Sequence, residues 1–154
     1  MKPLIYIING PNLNMLGIRE PDVYGSESYS DLVKLLEQKS KELNIDIEVF
    51  QSNHEGALVD KIQEAYFRGA TGIVINPAAY THTSIALLDA LKSVNLPAVE
   101  VHISNVDERE AYRKISYVSE FCELRISGHG FYGYIEALEH LVSVDNNYQK
   151  GNTK

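Results

Sequence analysis

At 154 residues the chain has the length of one domain and can bury a sizeable core. Its 44% hydrophobic and 23% charged residues are ordinary for a globular protein, and a net charge of −7 argues against a nucleic-acid partner, which needs a basic face. The single cysteine, Cys122, excludes an intramolecular disulfide and suits a reducing cytoplasm, and the apolar run from Leu4 to Ile8 is too short to be a signal peptide or a membrane span.

The chain then reads as five strand–helix units. Runs rich in Ile and Val predict strands over Leu4–Asn9, Ile45–Gln51, Gly72–Asn76, Ala98–His102 and Cys122–Ser127. The first helix enters through the capping signal Ser28-x-x-Asp31 and turns Leu32, Leu35, Leu36 and Leu43 to one face. A second runs from about Gly56 to Arg68 with Leu58, Ile62 and Ala65 inward, and Gly69 stops it. The third follows Thr83-Ser84 with Ile85, Leu88 and Leu91 inward, and a fourth, shorter one begins near Asp107-Glu108. The fifth spans about Gly133 to Val144, leaving 145–154 as a polar, frayed tail beyond a single domain over 1–144. Cys122 reads as a small hydrophobe near the fifth strand, and no Cys/His spacing suggests zinc.

Alternation of β and α at this spacing implies a parallel sheet covered on both faces. The fold class expected is α/β, a flavodoxin-like three-layer sandwich with strand order 2-1-3-4-5. Ligands bind such sheets outside the carboxyl ends of the strands, at the switch point between strands 1 and 3. The polar loops fall there: 9–24 after strand 1, 76–84 after strand 3 and 102–105 after strand 4.

Each loop offers chemistry, and each residue also has a plainer reading. Residues 10–27 form a long βα connection, the kind that serves as a lid or binding loop. Within it Arg19 and Tyr24 could be solvated surface and a packing anchor, or a guanidinium that favours a phenolate. His102 ends strand 4, and Glu100, two residues earlier, shares its face of the sheet. A carboxylate beside an imidazole fixes its tautomer and favours its protonated form. The backbone N–H groups of Ile103 and Ser104 then open a turn suited to a carboxylate. Asn76, His82 and Asp89 together suit a polyhydroxylated ligand, although Asp89 and Arg113 alone would pass for surface charges. Gly128-His129-Gly130-Phe131-Tyr132-Gly133 imitates a dinucleotide fingerprint. It occupies the last unit with no further strand to follow, so it reads as a tight turn.

The segments Asn9-Gly10-Pro11-Asn12-Leu13-Asn14-Met15-Leu16-Gly17, Ile75-Asn76-Pro77-Ala78-Ala79-Tyr80-Thr81-His82-Thr83-Ser84 and Glu100-Val101-His102-Ile103-Ser104-Asn105 occur in the order of the type II 3-dehydroquinate dehydratases, which the chain resembles from about Leu4 to Leu141. That resemblance implies a lyase that removes water from 3-dehydroquinate through an enolate. It implies Tyr24 as base, Arg19 as its activator, His102 as acid supported by Glu100, and Asn12 stabilising the enolate. Asn76, His82, Asp89, Ile103, Ser104 and Arg113 would bind substrate. It also matches the turn Ser52-Asn53-His54-Glu55-Gly56, which reads as scaffolding because strand 2 lies outside the crevice. No cofactor or metal is implied, and the usual assembly is a homododecamer in the cytoplasm. The rival reading is a flavin-binding or phosphoryl-receiver module. It lacks an acidic cluster or a Ser/Thr-rich phosphate loop after strand 1.

Overall fold

The computed structural model describes residues 2–18 and 27–152. Five strands, β1 (Leu4–Asn9), β2 (Asp46–Gln51), β3 (Gly72–Asn76), β4 (Ala98–His102) and β5 (Leu124–Ser127), form one parallel sheet of order β2-β1-β3-β4-β5. Among the described residues the helices are α1 (Tyr29–Leu43), α2 (Glu55–Phe67), α3 (Ile85–Val94) and α4 (Tyr132–Asn152). Side chains alternate across a strand, and β1 shows the consequence. Ile5 and Ile7 enter a core with Leu32 and Leu36 of α1 and Leu138 of α4, while Tyr6 and Ile8 enter a second core with Leu58 and Ile62 of α2 and Leu91 of α3. Each such side chain, fully buried, contributes about 1.5–3 kcal/mol. The sheet is thereby clamped between two helical layers, which hold its carboxyl edge rigid.

Local chemistry sets the helix ends. Ser28 Oγ accepts from Asp31 N–H at 3.1 Å and Asp31 Oδ2 accepts from Ser28 N–H at 2.9 Å, the reciprocal cap expected for α1. Ser84 Oγ caps α3 by accepting from Leu87 N–H at 3.0 Å. The buried stripe of α3 is Leu87, Leu88, Ala90 and Leu91, whereas Ile85, expected inward, is exposed in the first turn.

Two expectations differ from the structure. The fourth helix is replaced by three short 3₁₀ turns, Val106–Glu108, Ala111–Arg113 and Val118–Glu120. This segment is held from outside: Tyr117 N–H bonds the Thr81 carbonyl at 3.1 Å, and the Ser116 and Ser119 hydroxyls bond Glu100. The last helix runs past Val144 to Asn152, because no glycine or proline lies between Val144 and Gly151 to interrupt it.

The mimic of a dinucleotide fingerprint does serve packing. A Cβ on Gly133 would lie 3.2 Å from Ile126 Cγ2 and 3.4 Å from Val101 Cγ1, so its absence lets α4 approach the sheet. Cys122 packs against the second core, and burial pushes its thiol up, away from reactivity.

Candidate active site

The loops after β1, β3 and β4 enclose a cleft of about 190 Å³ at the carboxyl edge of the sheet. Its shape begins with a close approach. Gly10 N–H bonds the Asn76 carbonyl at 2.8 Å, and a Cβ on Gly10 would lie 2.3 Å from the Pro77 carbonyl oxygen. Only glycine lets the first and third loops meet here. Asn12 follows in a left-handed conformation with φ of 69°, and its N–H bonds Asn53 Oδ1 at 3.0 Å. Gln51 Nε2 donates to the same Asn53 oxygen at 3.2 Å, and Tyr80 donates to the Asn53 carbonyl at 2.8 Å. The turn after β2 is therefore a buttress for Asn12.

Asn76 is set by a buried relay. Its Nδ2 donates to the Tyr134 hydroxyl at 2.9 Å, which donates to Asn9 Oδ1 at 2.7 Å. Burial pushes the Tyr134 phenol up, so the hydroxyl stays protonated and can donate. Asn76 Oδ1 accepts from Ala78 N–H at 3.1 Å, leaving the amide no freedom to flip.

On β4, Glu100 is 0% and His102 5% exposed. His102 Nε2 and Glu100 Oε2 are hydrogen-bonded, and Glu100 also accepts from Ser116 Oγ at 2.8 Å and from Ser119 Oγ. Burial pushes the Glu100 carboxyl up, but hydrogen bonds from His102, Ser119 and Ser116 outweigh it and hold the group below its usual range. An ionised carboxylate only accepts, so His102 Nε2 carries hydrogen and Nδ1 is the nitrogen left for the cleft. His82, across the cleft, points Nδ1 at the Ile115 carbonyl, 2.7 Å away. That carbonyl also only accepts, so in the neutral ring Nε2 is left as an acceptor. Burial, the His102 charge and Arg113 together lower the His82 imidazole, against the contrary pull of the Ile115 carbonyl.

The Ile103 carbonyl is committed to Gly130 N–H at 3.0 Å. A planar trans peptide then turns Ser104 N–H the opposite way, at the cleft wall. Arg113 donates through Nε to Glu110 at 2.8 Å, and Arg109 joins it in lining the cleft. Two guanidiniums make this cleft locally positive in an acidic chain, which suits an anion.

The structure brings Asn12, Asn76, His82, His102, Ile103, Ser104 and Arg113 to one cleft and places Glu100 behind it. Asp89 is exposed on α3 and is not among the cleft's lining residues. Arg19 and Tyr24 lie outside the described residues. Sequence reasoning missed Arg109, whose Glu-Arg-Glu setting looks like ordinary surface, and the Ser116 and Ser119 partners of Glu100. Those serines lie 16 and 19 residues beyond Glu100, and nothing local in the sequence pairs them with it.

A polar, positively lined cleft at the switch point of a flavodoxin-like sheet, with an imidazole held by a buried carboxylate, defines a small-molecule site equipped for proton transfer. The chain belongs to the class II dehydroquinase family, whose model matches residues 3–142. It is 51% identical to the 3-dehydroquinate dehydratase of Caldicellulosiruptor bescii over 140 residues, 91% of this chain and 97% of that protein. It is 51% identical to that of Clostridium acetobutylicum over 142 residues, covering 90% and 98%. The crystal structure of type II dehydroquinase from Butyrivibrio crossotus superposes with a TM-score of 0.90 at 55% identity, covering 91% of this chain and 97% of that one. Among the described residues no helix is long and apolar enough to cross a membrane.

Proposed function

We infer that this chain is a 3-dehydroquinate dehydratase, a lyase that converts 3-dehydroquinate to 3-dehydroshikimate and water in the shikimate pathway. The observation that carries the reading is the buried Glu100–His102 pair opening on a positively lined cleft in a member of the class II family. Tyr24 as phenolate removes a proton from the carbon beside the ketone, with Arg19 favouring the ionised phenol. The resulting enolate is stabilised from Asn12, through an ordered water. His102, protonated and facing the cleft through Nδ1, then gives its proton to the departing hydroxyl, which leaves as water. Each proton is thereby accounted for, one taken by Tyr24 and one given by His102, and their return resets the enzyme.

The amides of Ile103 and Ser104 with Arg113 hold the substrate carboxylate. Asn76 and His82 take its hydroxyls, Asn76 from a fixed amide and His82 through the acceptor at Nε2. Asp89 is the substrate contact with the least support, being exposed and outside the cleft of its own chain. In the homododecamer we propose, the cleft it can serve is a neighbour's. The working compartment is the cytoplasm, in keeping with the single buried-leaning Cys122.

The test is ultraviolet absorbance of the conjugated enone product when purified protein meets 3-dehydroquinate with no added metal. Growth of that band at a rate proportional to enzyme is expected. Its absence with folded protein overturns the reading.

A further inference from the structure

The carboxylate behind His102 is flanked by a second cation. Glu100 and Arg125 are register partners on adjacent strands β4 and β5, as are His102 and Ser127, so all four side chains share one face of the sheet. Arg125 Nε lies 3.5 Å from Glu100 Oε2, the oxygen that also accepts from His102 and Ser116. Its Nε and Nη2 are closed to solvent and make no hydrogen bond. Its Nη1 reaches toward Asp107 Oδ1 at 3.9 Å. An arginine cannot shed its charge, and buried donors without partners are costly. What compensates such a cation is the Glu100 charge beside it.

We propose that Arg125 is a positioning residue for the dehydration: from behind Glu100 it balances the carboxylate, keeping it ionised while loosening its hold on the His102 proton. This rests on the reading of His102 as the acid. The charge count supplies the reason. With His102 protonated, the set His102, Glu100 and Arg125 carries one net positive charge facing the cleft. When the proton leaves, the buried Glu100 and the partly buried Arg125 remain as a neutral pair. Without Arg125 the same step would strand a lone buried carboxylate, the state that a low-dielectric interior penalises most.

Other charged or titratable groups meet this set from each side. His82, Arg109 and Arg113 line the cleft, and Glu110 binds Arg113. Cys122 lies before β5 with its thiol pushed up by burial and by the Glu100 charge, hence neutral, and Asp107 is exposed at the far end of Arg125. None of them lies between Arg125 and Glu100 to substitute for the guanidinium.

The experiment follows the His102 ring by NMR against pH in the wild type, Arg125→Met and Arg125→Lys, with the signal assigned from His102→Gln. The kcat–pH profile is recorded on the same preparations. In Arg125→Met the midpoint of proton loss from His102 should move up by about one pH unit, the alkaline limb of kcat should follow, and the plateau should fall about tenfold because the acid is weaker. Arg125→Lys should restore both curves. Where Arg125→Met does not fold, Arg125→Gln carries the same comparison. A midpoint unmoved in a folded neutral variant, or moved equally in Arg125→Lys, overturns the proposal. A midpoint that moves while the kcat limb stays put upholds the role of Arg125 and sinks the assignment of His102 as the acid.

Discussion

Two histidines face one cleft from opposite walls, and their surroundings set them to different work. His102 is buried on a central strand with its Nε2 tied to an ionised carboxylate that two serines also hold. His82 stands on a 3₁₀ turn, half-buried, with its Nδ1 tied to a neutral backbone carbonyl. A charged acceptor stabilises an imidazolium, whereas a neutral one fixes a tautomer without holding the charge. In the function we propose, the first ring gives a proton and the second recognises a hydroxyl. The same side chain acquires its role from the group behind it.

The largest effect should come from His102→Asn, which keeps a polar group in the space but cannot carry a proton. We expect kcat to fall about 10²–10⁴-fold with the fold intact by circular dichroism. Glu100→Gln comes next and tests the backing group. It leaves His102 without its counter-charge, so kcat should drop about 10–100-fold and the alkaline limb of the pH–rate profile should shift to lower pH. Its stability should also change with a definite sign. Because folded Glu100 titrates below its ordinary value, it stabilises the wild type above that value, and the contribution is lost as pH falls through the lower folded one. Acid denaturation of Glu100→Gln should lack that component.

Tyr134→Phe probes the relay beneath Asn76. Removing the hydroxyl strands the amides of Asn9 and Asn76, at a cost of about 1–3 kcal/mol in urea unfolding and with a higher KM. His82→Asn should be mildest, raising KM by about tenfold, equivalent to about 1.4 kcal/mol of binding, with kcat little changed. If its kcat fell as far as that of His102→Asn, the division between the two rings would fail.

The contrast between these walls was only half visible in the sequence. Glu100 and His102 are two apart at the end of a Val-rich strand, and period-2 geometry is enough to place both on one face. The strand order and the convergence of three loops followed from the βα rhythm in the same way. The partners of Glu100 did not, because Ser116, Ser119 and Arg125 come from a later turn and an edge strand that only tertiary contact brings together. The segment 106–120 looked helical from its charged start. Its tethers to Thr81 and Glu100 are long-range and leave no local signature. Asp89 was grouped with His82 because the two are close in sequence, and the helix sets it at the surface, apart from the cleft lining of its own chain.

The claim that the two rings divide the labour is tested most directly by measuring kcat and KM for enone formation from 3-dehydroquinate in His102→Asn and His82→Asn side by side. The account predicts a collapse of kcat in the first and a rise confined to KM in the second. A collapse of kcat in both, or a folded His102→Asn that turns over at the wild-type rate, would contradict it.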